Sequence, residues 1–287
     1  LITGPPGSGR STAARLFAAS LQCEENGCGK CVSCISIKKS THPDVHVITP
    51  LGNSYGVDDT RDLVREASMM PSLGQWNIII LEDADRLTSE AGNALLKAIE
   101  EPGVRTVWLL CAPTLHDILP TIRSRCRHIQ LHTPSNIEVA KYLVEKHQIS
   151  PKMADFAARV SQGHIGRARH LATNEDVRNR RNAILSIPSQ LNSISAAYSA
   201  AAKLVDLANA ESDAISEALD EKEYEELSTA LGKGNNKALK ELEKEQKSRA
   251  TRITRDTLDG ALLDLATFYR DVIMVQAGHD DSLINAE

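Results

Sequence analysis

The stretch that most constrains this chain is its opening, Gly4-Pro5-Pro6-Gly7-Ser8-Gly9-Arg10-Ser11-Thr12. The spacing is that of a phosphate-binding loop, Gly-x-x-x-x-Gly-Lys-Ser, with Arg10 standing where the lysine belongs. Such a loop needs glycines because its backbone turns tightly and brings N–H groups within reach of phosphate oxygens. Leu1, Ile2 and Thr3 read as the end of a buried strand. The alanine- and leucine-rich run from Ser11 to Leu21 reads as a helix whose N-terminus faces the anion. A strand, a glycine loop and a helix in that order predict an α/β fold.

Directly behind that helix come Cys23, Cys28, Cys31 and Cys34, spaced C-x4-C-x2-C-x2-C. Overlapping Cys-x-x-Cys pairs can each pinch one side of a tetrahedral Zn2+. Four protein ligands leave no open position, so the predicted metal is structural and not catalytic. The chain has six cysteines and nothing resembling a secretory leader, which points to a reducing cytoplasm, where clustered cysteines bind metal more often than they form disulfides. His42 and His46 flank the start of the short strand Val45–Ile48. With four thiolates filling the zinc shell, these histidines are expected to be solvated or hydrogen-bonded.

A second half of the site is predicted at Asn77-Ile78-Ile79-Ile80-Leu81, a β-branched run that reads as a central parallel strand buried on both faces. It ends in Glu82-Asp83-Ala84-Asp85. Carboxylates at the C-terminal end of such a strand lie beside the glycine loop, where they can hold Mg2+ and position a water against a γ-phosphate. An amphipathic helix is expected over Val57–Met70. Another follows Thr88 or Ser89 and stops at Pro102-Gly103. Val107–Ala112 reads as the next buried strand, with Trp108 and Cys111 in the core. The segment Arg123-Ser124-Arg125-Cys126-Arg127 precedes the strand His128–Leu131. Its three arginines are either a solvated edge or phosphate-directed forks.

From Pro134 the pattern turns helical, with a break at Gly163-His164-Ile165-Gly166-Arg167. Alanine-rich helices are expected around Ala196–Ala210. A solvated Glu/Lys-rich helical pair with i,i+4 charge pairs runs from Glu217 to Lys247, and a final helix from about Thr254 to Gln276. A net charge of −5 and an aromatic content of 3% argue against a nucleic-acid footprint over the whole surface and against a base-stacking platform. No apolar run approaches the length of a membrane span. A strand already under way at Leu1, without an initiator Met, suggests that the true N-terminus is missing.

Taken in order, the Pro-Pro-Gly loop, the four-cysteine module, Glu82-Asp83-Ala84-Asp85, Asn93-Ala94-Leu95-Leu96-Lys97 with Glu100-Glu101-Pro102, and Ser124-Arg125-Cys126 resemble bacterial clamp-loader ATPases. The chain is similar to the delta-prime family of DNA polymerase III clamp-loader subunits, of an actinobacterial type. The motifs that carry the resemblance lie in residues 1–131. It implies an AAA+ RecA-like P-loop domain with a parallel sheet over residues 1–133, containing the zinc module at 23–34. A small helical lid at 134–175 and an all-α collar at 176–287 would follow, with both chain ends incomplete.

The implied partners are gamma/tau and delta subunits in a pentameric ring, and through them the sliding clamp and primer-template DNA. The resemblance makes Arg125 an arginine finger offered in trans to a neighbouring ATP site. It also makes Gly4, Pro5, Pro6, Gly7, Ser8, Gly9, Arg10, Ser11, Thr12 and Glu82 the residues that would face ATP and Mg2+. Three departures set the expected mechanism. Arg10 replaces a compact lysine charge with a planar guanidinium. The Glu82-Asp83 order leaves Asp83 as a shortened water-positioning carboxylate. Gly166 stands where relatives carry a lid arginine, with Arg167 next to it. Together they predict weak or absent ATP hydrolysis by this subunit within the polymerase assembly. The rival expectation is an active gamma/tau-like motor.

Overall fold

The isoleucine run at Asn77–Leu81 sits inside a parallel sheet, as its β-branched pattern predicts. The computed structural model describes residues 1–50, 52, 54–231, 236–279 and 283–285. Its strands are β1 (Ile2–Thr3), β2 (Val45–Ile48), β3 (Asn77–Leu81), β4 (Thr106–Ala112) and β5 (Ile129–Gln130). They pair in the order β2-β3-β4-β1-β5, every pair parallel. All five residues of β3 are buried. Ile78 and Ile80 face one core together with Ile2, Leu109 and Cys111, against Ala14 and Ala18 of helix α1 (Arg10–Gln22). Leu81, with Leu110 and Ala112 of β4, faces the other core, against Leu95 of the helix Ser89–Glu100. Because both faces are covered, the strands read as continuous apolar runs and not as alternating ones.

The remaining helices of this part are α2 (Val32–Lys38), α3 (Val57–Ala67), α4 (Ser89–Glu100) and α5 (Pro120–Arg123). The sequence predicts α3 as far as Met70, but it stops at Ala67. Pro71 disfavours helical backbone at the residue before it, so the last turn unwinds early. Thr88 caps α4 by accepting a hydrogen bond from Ala91 N at 3.2 Å, which satisfies one donor of the first turn. Since all strands run the same way, the segments following β1, β3 and β4 emerge at one edge of the sheet.

The chain divides into two compact units, one comprising Leu1–Val139 with Gly163–Gly166, the other Ala140–Gln162 with Arg167–Glu287. Helices α6 (Asn136–His147), α7 (Pro151–Ser161), α8 (Ile165–Thr173), α9 (Glu175–Leu185), α10 (Ile194–Leu231) and α11 (Asn236–Gln276) complete the element order. Among the described residues no strand follows Gln130. α10 and α11 run antiparallel: Ser212 Oγ donates to Ala250 O at 3.1 Å, and Gln246 Nε2 to Asp220 O at 3.3 Å. α11 begins well before the expected Thr254 because the Glu/Lys stretch continues it without a breaker. Residues 232–235 and most side chains of that stretch lie outside the described residues, and so do the i,i+4 pairs expected there. Within the second unit the Asp264 carboxylate pairs with both Arg167 and Arg181, and Arg181 is only 5% exposed.

Candidate functional site

The glycine loop leaves β1 at the C-terminal edge of the sheet. Gly4 N donates to Ala112 O at 3.3 Å and to Pro113 O at 3.1 Å, which ties the loop to the end of β4. Ser8 N closes a turn onto Pro5 O at 3.1 Å. Gly7 adopts a φ of 81°, left-handed backbone that glycine takes without steric cost. A Cβ at Gly7 would also fall 2.2 Å from Cγ of His164, so the histidine packs directly on the loop. Helix α1 starts after Gly9 with no side-chain cap, leaving first-turn N–H groups for water or an anion. Pro5, Pro6 and Thr12 are exposed, while Ser8, Gly9, Arg10 and Ser11 are half-buried. The Ser8 hydroxyl is buried and has no hydrogen-bond partner among the described residues.

The backbone therefore fits a phosphate, but the charges beside it are committed within the chain. Arg10 Nη1 donates to Gly4 O at 2.9 Å, bridging the first turn of α1 back to the first residue of the loop. Glu82, at the end of β3, accepts from Arg15 Nη2 at 3.2 Å. That ion pair offsets one of the carboxylates a Mg2+ ion would need. The Glu82 carbonyl accepts from the hydroxyl of Tyr55, which is 1% exposed, at 2.5 Å. Asp83 follows in left-handed backbone, with φ and ψ both 49°. Such a conformation costs a non-glycine residue about 1–3 kcal/mol. Burial pushes the Asp85 carboxyl up, with the Asp83 charge adding to it and Arg86 and Arg10 opposing. Burial, with the Glu82 charge adding, pushes the nearby Cys111 thiol up to about 11.

At the far end of α1 the four cysteines come together as their spacing predicts. The Sγ atoms of Cys23, Cys28, Cys31 and Cys34 all lie within 4.8 Å of one another. Tetrahedral coordination with Zn–S bonds of about 2.3 Å places sulfurs about 3.8 Å apart, and Cys23 and Cys31 are 3.7 Å apart. Backbone N–H groups of Cys28, Lys30, Cys31 and Cys34 point at the sulfurs at 3.4–3.5 Å. N–H donation from Cys28 and Gly27 lowers the Cys23 thiol to about 6. Burial raises Cys34. This donor set could hold one Zn2+. His42 and His46 stand apart from it. His42 Nδ1 accepts from Asp44 N at 3.1 Å, and His46 Nδ1 lies 2.7 Å from Glu66.

Arg125 lies just past α5, on the surface. Its Nε donates to Glu100 Oε2 at 3.1 Å, and Nη1 donates to Thr121 O at 2.9 Å and Ser124 Oγ at 3.3 Å. Arg167, beside Gly166, is engaged by Asp264. Sequence reasoning missed three contributors: Arg15, Tyr55 and His164. The signal for Arg15 was available, since it and Arg10 are the only charged residues in α1. Tyr55 and His164 sit far from the motifs they touch and carry no spacing that marks them.

The family described as DNA polymerase III, delta subunit, matches residues 1–135. The DNA polymerase III subunit gamma/tau of Mycobacterium bovis is 36% identical over 133 residues, covering 45% of this chain and 23% of its own length. The DNA polymerase III subunit delta' of Bacillus subtilis is 30% identical over 190 residues, covering 65% of this chain and 57% of its own. The chain thus spans less than two thirds of the length of either relative. A solved Thermotoga maritima protein, described as DNA polymerase III gamma subunit-related, aligns over 91% of this chain and 93% of its own, with a TM-score of 0.40 and 18% identity. Residues 1–135 are thus similar to proteins described as DNA polymerase III delta and delta' subunits.

Proposed function

We propose that this chain is a delta-prime-type clamp-loader subunit that hydrolyses ATP weakly or not at all and lends Arg125 to the ATP site of a neighbouring subunit. The observation that carries this reading is the contrast between two arginines. Arg10 is turned inward onto the loop's own Gly4 carbonyl. Arg125 is held at the surface with its side chain 34% exposed. A guanidinium delivered to a phosphoryl-transfer site from a partner neutralises developing charge and is worth about 10³–10⁵ in rate. The Glu82–Arg15 pair and the strained Asp83 backbone support the corollary that this subunit's own site is not arranged for turnover.

In this reading residues 1–133 form the AAA+ nucleotide-type domain, 134–175 the lid and 176–287 the collar. The four cysteines hold a structural zinc. The partners are gamma/tau and delta subunits in a pentameric ring that acts on the sliding clamp at primer-template DNA. The collar assignment is supported by Leu262, Tyr269 and Ile273, which are exposed at helical spacing along α11. The test is the ATPase rate of a reconstituted loader carrying Arg125→Ala. A rate within about twofold of the unsubstituted complex removes the finger assignment.

A second reading, a gamma/tau-like motor, draws on the likeness to the mycobacterial gamma/tau subunit. It requires the isolated chain to bind Mg2+-ATP and turn it over at a rate near 1 s⁻¹, roughly the low end of ordinary enzymes.

A further inference from the structure

Three of the five N–H donors of a guanidinium fix its orientation when they are bonded to its own chain, and in Arg125 the pattern of bonding is lopsided. Nε is taken by Glu100 Oε2 and Nη1 by Thr121 O and Ser124 Oγ. Nη2 makes no hydrogen bond to any described residue. The two bonded nitrogens therefore face α4 and α5, and the Nη2 group between them is left for an acceptor outside the chain. The two N–H donors of Nη2 are charged and can meet phosphate oxygens.

Stability does not explain the Glu100 contact. The two side chains are 34% and 56% exposed, and an ion pair as exposed as this contributes at most about 1 kcal/mol. Glu100 is also the last residue of α4, where a negative charge opposes the helix dipole. The acceptor sits at a helix end fixed by Leu95 and Ile99, both buried in the core. Arg125 follows α5, which is anchored by Ile122 at 1% exposure. Two rigid supports thus set the direction of one flexible side chain.

We propose that Glu100 is a positioning residue for Arg125, holding the guanidinium by Nε so that its unbonded Nη2 group is aimed at a phosphate of a neighbouring subunit's nucleotide. This rests on the trans-finger reading of Arg125 and adds a residue to it. Without Glu100 the side chain keeps its charge but samples more rotamers, so the loss falls on turnover and not on nucleotide affinity. Glu100→Gln keeps an oxygen that can accept from Nε and removes only the charge.

The experiment compares loaders reconstituted with the full chain carrying Glu100→Ala, Glu100→Gln, Arg125→Ala or Glu100→Ala with Arg125→Ala. It reads kcat and KM for ATP, with subunit assembly and thermal unfolding as controls. Glu100→Ala is expected to lower kcat about three- to tenfold, within the loss caused by Arg125→Ala, with KM changed less than about twofold. Glu100→Gln should recover most of the rate, and the double variant should match Arg125→Ala alone. If Arg125→Ala slows the loader but Glu100→Ala does not, the positioning role is wrong and the finger stands. If the two losses multiply in the double variant, Glu100 acts elsewhere and the proposal fails. If Arg125→Ala leaves the rate intact, the finger reading falls and this inference falls with it.

Discussion

Asp44 offers a direct test of how the sheet edge is held together. It precedes β2 and is only 4% exposed. One carboxylate oxygen accepts from Ser72 N at 2.6 Å and Ser72 Oγ at 2.7 Å, and the other from Leu73 N at 2.8 Å and Gly74 N at 2.6 Å. One side chain thereby closes the loop that leads into β3. Burial alone would raise its pKa, but the donors of Ser72, Gly74 and Leu73 outweigh burial and lower it from 3.8 to about 2. At about 1.4 kcal/mol per pKa unit, the folded state gains about 2–3 kcal/mol from this group. Because the folded pKa lies below the unfolded one, that contribution is complete above pH 3.8 and is lost as the pH falls towards 2.

Asp44→Asn replaces one acceptor oxygen with a donor facing backbone N–H groups. At pH 7 it should therefore lower the unfolding free energy of the N-terminal unit by about 2 kcal/mol. Urea unfolding followed by tryptophan fluorescence isolates that unit, since Trp76 and Trp108 both belong to it. The gap between the two proteins should narrow below pH 4 and close near pH 2. A loss smaller than about 0.5 kcal/mol at pH 7, or a gap of constant size down to pH 3, refutes the reasoning.

Two further outcomes follow from the sites described. Freshly purified, reduced protein should carry about one zinc per chain, and Cys34→Ser should lose it. Since the thiols must deprotonate to bind, apparent affinity should rise with pH, and elemental analysis finding no zinc in the unsubstituted protein would end the assignment. Gly7→Ala meets both a left-handed backbone and a Cβ position 2.2 Å from the His164 ring, so it should cost the N-terminal unit about 2–3 kcal/mol. Adding His164→Ala should recover only part of the loss, because the His164 Cα itself lies 2.6 Å from that Cβ. The same tryptophan-monitored unfolding measures both variants, and a full recovery would refute both the backbone strain and the close approach of the His164 backbone.

Features carried by short-range pattern were legible in the sequence. The β3 isoleucines, the strand–loop–helix unit and the cysteine spacing each fix their own local geometry, and the structure has all three. What was not legible depends on pairs far apart in the chain. Arg15 and Glu82 are separated by 67 positions, and Arg167 and Asp264 by 97. Asp44 looked like one member of a His-Pro-Asp turn, because its four donors come from a loop about which composition says little. The end of α3 was misjudged for a local reason that was visible: Met70 precedes a proline. The early start of α11 was hidden by Glu/Lys residues, which suit a solvated helix without marking where it begins.

The cysteines carry one consequence for chemistry inflicted on the chain from outside. Burial raises the thiols of Cys111 and Cys126 above their ordinary value, while backbone donors bring Cys23 down to about 6. Oxidants and alkylating reagents attack thiolates, so when the knuckle behind α1 holds no metal its Cys23 is favoured over Cys111 and Cys126. Sulfenylation at Cys23 would undo the knuckle's geometry and put a polar group into the core that Cys23 shares with Ile2, Ile78 and Ile80. The chain thus concentrates its redox vulnerability in a module that shares a core with the central sheet.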